Sequence, residues 1–170
     1  RTYSLIWLLD KCKTAMGSRK LKTWLLNPLK DIKELNKRYD MIEKVNTEFI
    51  LKEELRNALY QVYDLERLSG KLIAGNLNAR DLLQIKASLK VVPEIKNKLQ
   101  ALKFNYNIPN TTKVYELIEQ AIYEDPPVTL KDGYLIKEGY NNELDELKHI
   151  RSGGKEFIAE FEHKIKEDTG

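Results

Sequence analysis

Apolar residues recur every three or four positions along most of the chain, a spacing typical of helices that bury one face. Ser4 is expected to cap a helix, because serine is a preferred N-cap residue and an apolar turn follows it. A second apolar group ends at Asn27-Pro28, because the residue before a proline is biased away from the helical region. Further stripes of the same spacing continue as far as Ile122. The pattern predicts a mainly α protein with a multi-helix core domain over residues 1–141.

Two positions predict where helices begin within this region. Asp31 is a residue type that caps helix N-termini, and Glu34 follows three residues later, as in a capping box. Pro93 has no backbone N–H and is tolerated best in the first turn of a helix. We therefore expect one helix to begin after Asp31 and another to begin near Val92.

A strand pattern follows the helical stripes. Val128 and Leu130 alternate with polar residues, and an apolar segment returns at 134–136. Asp132-Gly133 lies between the two and suits a two-residue type I′ turn. The sequence predicts one β-hairpin near residues 128–137, packed against helices because a lone hairpin is marginally stable in water.

The last segment, residues 142–170, carries a narrow apolar stripe that includes Leu144, Ile158 and Phe161. As a single helix it would be about 40 Å long, which is typical of a connecting rod or lever and not of a core helix. Gly153-Gly154 lies inside it, and each glycine costs a helix about 1 kcal/mol relative to alanine. The pair therefore predicts either a flex point or a break in the lever helix.

Charge changes this picture mainly at the N-terminus. Of the 170 residues 32% are charged, and this high fraction favours an extended helical protein. The net charge is only +3, which permits nucleic-acid binding without requiring it. No acidic residue occurs between Lys11 and Lys30. This basic flank could contact DNA phosphates, could contact a neighbouring domain, or could be the solvated side of two helices. Its candidate contact residues are Lys11, Lys13, Arg19, Lys20 and Lys22.

Sequence signals for catalysis are weak. Gly70-Lys71 and Gly154-Lys155 lack the earlier glycine and the hydroxyl residue of a phosphate-binding P-loop. Two Glu-x-x-His motifs end at His149 and His163, but a di-iron site also needs glutamates from other helices. We expect no catalytic residue, no cofactor and no metal ligand in this chain, and no membrane span, since no apolar run approaches 18 residues.

The segment LLDKCKTAMGSRKLKTWL, within 5–43, resembles the start of the core domain of bacterial MutS proteins, the DNA mismatch-recognition ATPases. The likeness continues in order through VYDLERLSGKLIAGNLNARDLLQIKASL, DPPVTLKDGYLIKEGYNNELDEL and GKEFIAEFEHKIKEDTG. It therefore spans most of the chain, and the stretch 99–121 matches only loosely.

The resemblance implies a piece of a larger machine. A mismatch-reading domain and a connector would precede it, and residues 142–170 would be the first part of a lever leading to a clamp domain. ATP and Mg would bind in a separate P-loop ATPase domain of the parent protein. The implied partners are mismatched double-stranded DNA, a second copy in a homodimer and a downstream mismatch-repair protein, in a cytoplasmic, nucleoid-associated setting without membrane.

Two alternatives remain open from the sequence. The chain could be a free-standing helical adaptor that binds other proteins. It could also be the core of the MutS paralogue branch that lacks the mismatch-reading domain, although the AMGSR and DGYLIKEGY segments favour the mismatch-repair branch.

Overall fold

The computed structural model describes the backbone of residues 3–169 and the side chains of residues 3–154 and His163. The stripe positions Ile158 and Phe161 therefore have side chains outside the described residues, as does Gly170 as a whole. The mainly α class is confirmed. The helices are α1 (Leu5–Leu9), α2 (Ala15–Leu26), α3 (Ile32–Thr47), α4 (Phe49–Tyr60), α5 (Leu65–Ile73), α6 (Ala79–Ala101), α7 (Thr112–Ala121) and α8 (Asn142–Thr169).

Polar side chains fix the starts of several helices. Ser4 Oγ accepts a hydrogen bond from the Trp7 amide at 3.2 Å, which confirms the predicted cap of α1. Asp31 accepts from the Lys33 amide at 2.8 Å and caps α3 as predicted. Each of these bonds satisfies an amide that has no partner inside its own helix.

The helix start predicted near Val92 is wrong, because α6 continues through Pro93 to Ala101. Val91 and Ile95 flank the proline and are both buried in one cluster with Ala58 of α4. Packing on both sides of Pro93 holds the two halves of α6 together and offsets the backbone hydrogen bond that proline cannot make.

Helix α6 is the centre of the fold and packs against α4, α5 and α7. One core cluster joins α6 to α4 through Ala58, Val91 and Ile95. The other cluster joins the first turn of α6 to the end of α7, and Leu135 and Ile136 pack against it. Its buried members are Ala79, Ile118, Ala121 and Ile122.

The β-hairpin predicted near 128–137 is wrong. Between residues 3 and 169 no strand forms, and Leu130–Asp132 is a 3₁₀ turn closed by Thr129 Oγ1, which donates to Asp132 at 2.7 Å. The returning segment pairs further upstream, in an isolated antiparallel bridge between Ile122 and Ile136.

Burial explains this choice of partner. Ile122 is 6% exposed and belongs to the core, whereas Leu130, in the predicted first strand, is 78% exposed. Pairing with Ile122 therefore brings the returning segment onto the core, which the predicted register would not do. Two prolines, Pro126 and Pro127, also precede the predicted first strand and cannot donate ladder hydrogen bonds.

Helix α8 is continuous through Gly153 and Gly154. The predicted break at this pair is therefore not present, and its role as a flex point stays a prediction. Helix α8 begins at Asn142, where the sequence placed the start of the lever. The division of the chain into two domains at that residue also stays a prediction.

Candidate functional site: the basic flank and the root of the long helix

The basic flank occupies α2 and the turn before it. Lys11, Lys13, Lys20 and Lys22 are exposed, and within the described part of the chain none of them forms an ion pair. The structure therefore places them where an external anion could reach them, but it does not gather them around one point. Arg19 is different, because its charge is already matched inside the chain.

Arg19 holds two carboxylates of the α5 region. Its Nη1 and Nη2 donate to the two carboxylate oxygens of Asp64, both at 2.7 Å. Its Nε and Nη2 also donate to Oε2 of Glu66, at 3.0 and 2.6 Å. This fork geometry is the strongest form of side-chain ion pair, and it joins α2 to a segment 45 residues later in the sequence.

A second contact joins α2 to α3. The guanidinium carbon of Arg38 lies 3.8 Å from the ring centroid of Trp24, and Lys20 Nζ lies 6.0 Å from the same ring. A cation over an indole face is attracted by the negative potential of the ring. Trp24 is 42% exposed, so this contact holds α2 at the surface without burying it.

The Arg19 pair predicts a pH dependence. Hydrogen bonds from Arg19, followed by the amide of Arg67, lower the pKa of Asp64 from 3.8 to about 2. Because this pKa is lower in the folded protein, Asp64 contributes stability that is present above about pH 4 and is lost as the pH falls through about 2. An NMR titration of the Asp64 carboxyl carbon should show a midpoint near 2. Arg19→Ala should raise the midpoint towards the ordinary aspartate value, and a wild-type midpoint already at that value would contradict the pairing.

The first two turns of α8 form its root, defined here by Asp145 and Lys148. Lys148 Nζ donates to the Ile136 carbonyl at 2.9 Å and lies 3.3 Å from Asp145 Oδ1. The amide of Gly139 donates to Asp145 Oδ2 at 2.7 Å. This donation, followed by the charge and hydrogen bond of Lys148, lowers the pKa of Asp145. The side chains of Asp145 and Lys148 are each only 19% exposed, so water has limited access to the contacts that hold α8 to the preceding loop.

The loop that holds the root is itself tied to the core. The amide of Lys137 donates to the Ala121 carbonyl at 2.8 Å, and its Nζ donates to the Glu119 carbonyl at 2.7 Å. Gly139 has φ of 81°, a conformation that favours glycine, and so lets the chain turn back towards Asp145. The end of α7, the loop and the root of α8 therefore form one connected unit.

The root was not predicted from the sequence. Asp145 and Lys148 look like an ordinary surface pair at a spacing of three residues. The signal that was present is Gly139, the last glycine before α8, followed six residues later by the acidic Asp145 in the first helical turn.

The described residues give no support for a metal site, a reactive cysteine or a membrane span. In the part of the chain that the structure describes, no group of three or more His, Cys, Asp or Glu side chains could hold a metal ion. Cys12 is exposed as a residue, but partial desolvation of its thiol, followed by the hydrogen bond and charge of Asp10, raises the pKa of the thiol and disfavours the reactive thiolate. A search of the described helices finds none with the length and apolar character that crossing a membrane requires.

The chain is similar to proteins of one family over its described length. The family model for MutS domain III matches residues 1–169. Proteins named DNA mismatch repair protein MutS are similar to this chain: that of Bacillus subtilis is 46% identical over 173 residues, which is 98% of the chain. That of Bacillus pumilus is 47% identical over 98% of the chain, and that of Clostridium tetani is 41% identical over 100% of it. In each case the chain spans 20% of the length of the relative.

Proposed function

This chain belongs to the MutS family and corresponds to its domain III, and from that premise we propose that it couples the binding of mismatched DNA to ATP-driven movements elsewhere in a MutS protein. The chain would be the core and the first part of a lever, and it would make and break no bonds itself. ATP and Mg would act in a separate ATPase domain. Mismatched DNA, a second subunit and a downstream repair protein would be partners of the whole protein.

The observation that carries this proposal is the rooted helix α8. Its 28 residues correspond to about 42 Å of α-helix. Among its described side chains, Asp145 and Lys148 hold its first turns to the loop. A long helix fixed at one end turns a small rotation at the root into a larger displacement at the far end, which is what a lever requires.

Exposed apolar side chains support the view that this chain works inside a larger protein. Leu5 in α1 is 66% exposed and Ile32 in α3 is 71% exposed. Surfaces of this kind are commonly covered by other protein. The relatives are named DNA mismatch repair protein MutS, which supports the mismatch-repair branch over the paralogue branch and over a free-standing adaptor.

The root of α8 gives the test of this proposal. In the full-length MutS protein, Lys148→Ala removes the hydrogen bond to Ile136 and should loosen the lever at its base. We expect ATP-driven release from mismatched DNA to slow about five- to tenfold, the range of a modest coupling free energy. Release is measured by stopped-flow fluorescence on a labelled mismatch.

Glu146→Gln provides a control, because Glu146 is exposed in the same part of α8 and forms no hydrogen bond or ion pair recorded within residues 3–154. It should release DNA at the wild-type rate. Normal release by Lys148→Ala, with circular dichroism showing an intact fold, would contradict the coupling role.

Gly153 and Gly154 are the candidate flex point of the lever. Replacing both by alanine should stiffen α8, because each replacement favours the helix by about 1 kcal/mol. Apart from the backbone of the helix itself, no described atom lies within 4 Å of the Cβ that either substitution would add. We expect the double variant to change the rate of ATP-driven release, and an unchanged rate would reject the flex point.

A further inference from the structure

Helix α5 is held by an ion pair at each end. Arg19 of α2 binds Asp64 at its start, and Lys71 near its end binds Asp81 of α6. We propose that α5 is an ionic strut, which transmits displacements of the N-terminal arm, α1 and α2, to the first turn of α6. This inference rests on the coupling function proposed above and names the route by which one side of the core reaches the lever.

The first joint combines a charge pair with a helix cap. Asp64 is the N-cap of α5, and its Oδ1 accepts both from the Arg67 amide at 3.2 Å and from Arg19 Nη2 at 2.7 Å. A displacement of Arg19 therefore acts directly on the residue that fixes the start of α5. Glu66, in the first turn, binds the same guanidinium and adds a second attachment.

The second joint has the same construction. Lys71 Nζ donates to both carboxylate oxygens of Asp81, at 2.8 and 2.9 Å. Asp81 is 6% exposed and forms a reciprocal capping box with Asn78 at the start of α6. Loss of the Lys71 contact therefore disturbs the residue that fixes the start of α6.

Apolar packing of α5 is slight compared with these joints. Leu68 is its one buried residue within the described chain, whereas Leu72 and Ile73 are 59% and 88% exposed. The charges also match the helix dipole, with Asp64 and Glu66 at the positive end and Lys71 at the negative end. The ends of α5, more than its flank, therefore set its position.

The route continues from α6 to the lever. Ala79, in the first turn of α6, belongs to the core cluster that contains Ile122. Ile122 bridges to Ile136, and the carbonyl of Ile136 holds Lys148 at the root of α8. Rigid helices joined by discrete polar contacts are a physical basis for coupling across a domain.

Hydrogen exchange of the full-length MutS protein without nucleotide tests the strut. Asp64→Asn keeps a capping oxygen for the Arg67 amide but removes the charge that Arg19 binds. We expect exchange of the Asp81 and Leu82 amides in α6 to speed up at least about threefold, although the substitution lies outside α6. Arg19→Ala should have the same effect. Lys22→Ala, on the same helix as Arg19 but without an ion pair among the described side chains, should have none.

Two results would overturn the strut. One is faster exchange confined to α2 and α5, with α6 unchanged. The other is a uniform increase along α6 that includes Val91 and Ile95, which would indicate general destabilisation.

The coupling function is judged separately, by DNA release from the Lys148→Ala variant. Unchanged α6 exchange together with slow release would reject the strut alone. Faster α6 exchange together with normal release would reject the coupling role alone.

Discussion

Ile122→Ala should lower the free energy of unfolding by about 3 kcal/mol, the middle of the range for truncating a buried isoleucine. Ile122 is 6% exposed and lies where α6, α7 and the loop before α8 meet. Because its backbone also bridges to Ile136, the cavity should weaken the hold of the core on that loop. Urea unfolding followed by circular dichroism measures the loss of stability.

The same variant should also weaken the hydrogen bonds that two backbone amides donate in the native state. The amide of Tyr123 donates to Leu135 at 3.2 Å, and the amide of Lys137 donates to Ala121 at 2.8 Å. Both should exchange faster with solvent deuterium. Ile73→Ala makes the same chemical change at a residue that is 88% exposed and should alter stability by less than about 0.5 kcal/mol. Equal losses from the two variants would contradict the assignment of Ile122 to the core.

Ser88→Ala should cost about 2 kcal/mol, although it removes a single oxygen atom. Ser88 is fully buried in α6, with an exposure of 0%. Its Oγ accepts from the Tyr63 amide at 2.9 Å and donates to the Gln84 carbonyl at 2.8 Å. Alanine leaves the partly buried Tyr63 amide without this partner, and an unsatisfied donor away from water costs more than a hydrogen bond contributes. Urea unfolding again measures the change.

Ser69→Ala is the matched control for Ser88→Ala. Ser69 is exposed in α5, and alanine is the better helix former, so this variant should be neutral or slightly stabilising. If Ser88→Ala proved equally harmless, the link from α6 to the segment between α4 and α5 would not contribute to stability. A loss confined to Ser88→Ala would show that this hydroxyl stabilises the fold by fastening α6 to the segment between α4 and α5.

Local signals in the sequence predicted the helices well. Ser4 and Asp31 cap the helices that they were expected to cap, because a cap bond spans only two or three residues. Helix α8 begins at Asn142, where the sequence pattern placed the start of a long helix.

Predictions that depend on distant contacts succeeded less well. Pro93 predicted a helix start, but burial of Val91 and Ile95 against α4 keeps α6 continuous. The hairpin prediction paired neighbouring segments, whereas the core selected Ile122 as the partner of Ile136.

The basic flank illustrates the same limit at the candidate site. Arg19 was predicted to form one patch with four lysines, because all five residues lie close together along the chain. In the structure Arg19 binds Asp64 and Glu66, while the lysines remain exposed. No local signal marks a partner more than forty residues away, and adjacent acids such as Asp64 and Glu66 are common on helix surfaces.

The two ends of α5 differ in their access to water, and this difference sets the order in which they detach. At the outer end the Arg19 and Glu66 side chains are 46% and 68% exposed, so dissolved ions screen their attraction. At the inner end the Asp81 side chain is only 8% exposed, and screening reaches it less. Rising ionic strength should therefore release the arm from α5 first, while α5 itself stays fastened to α6.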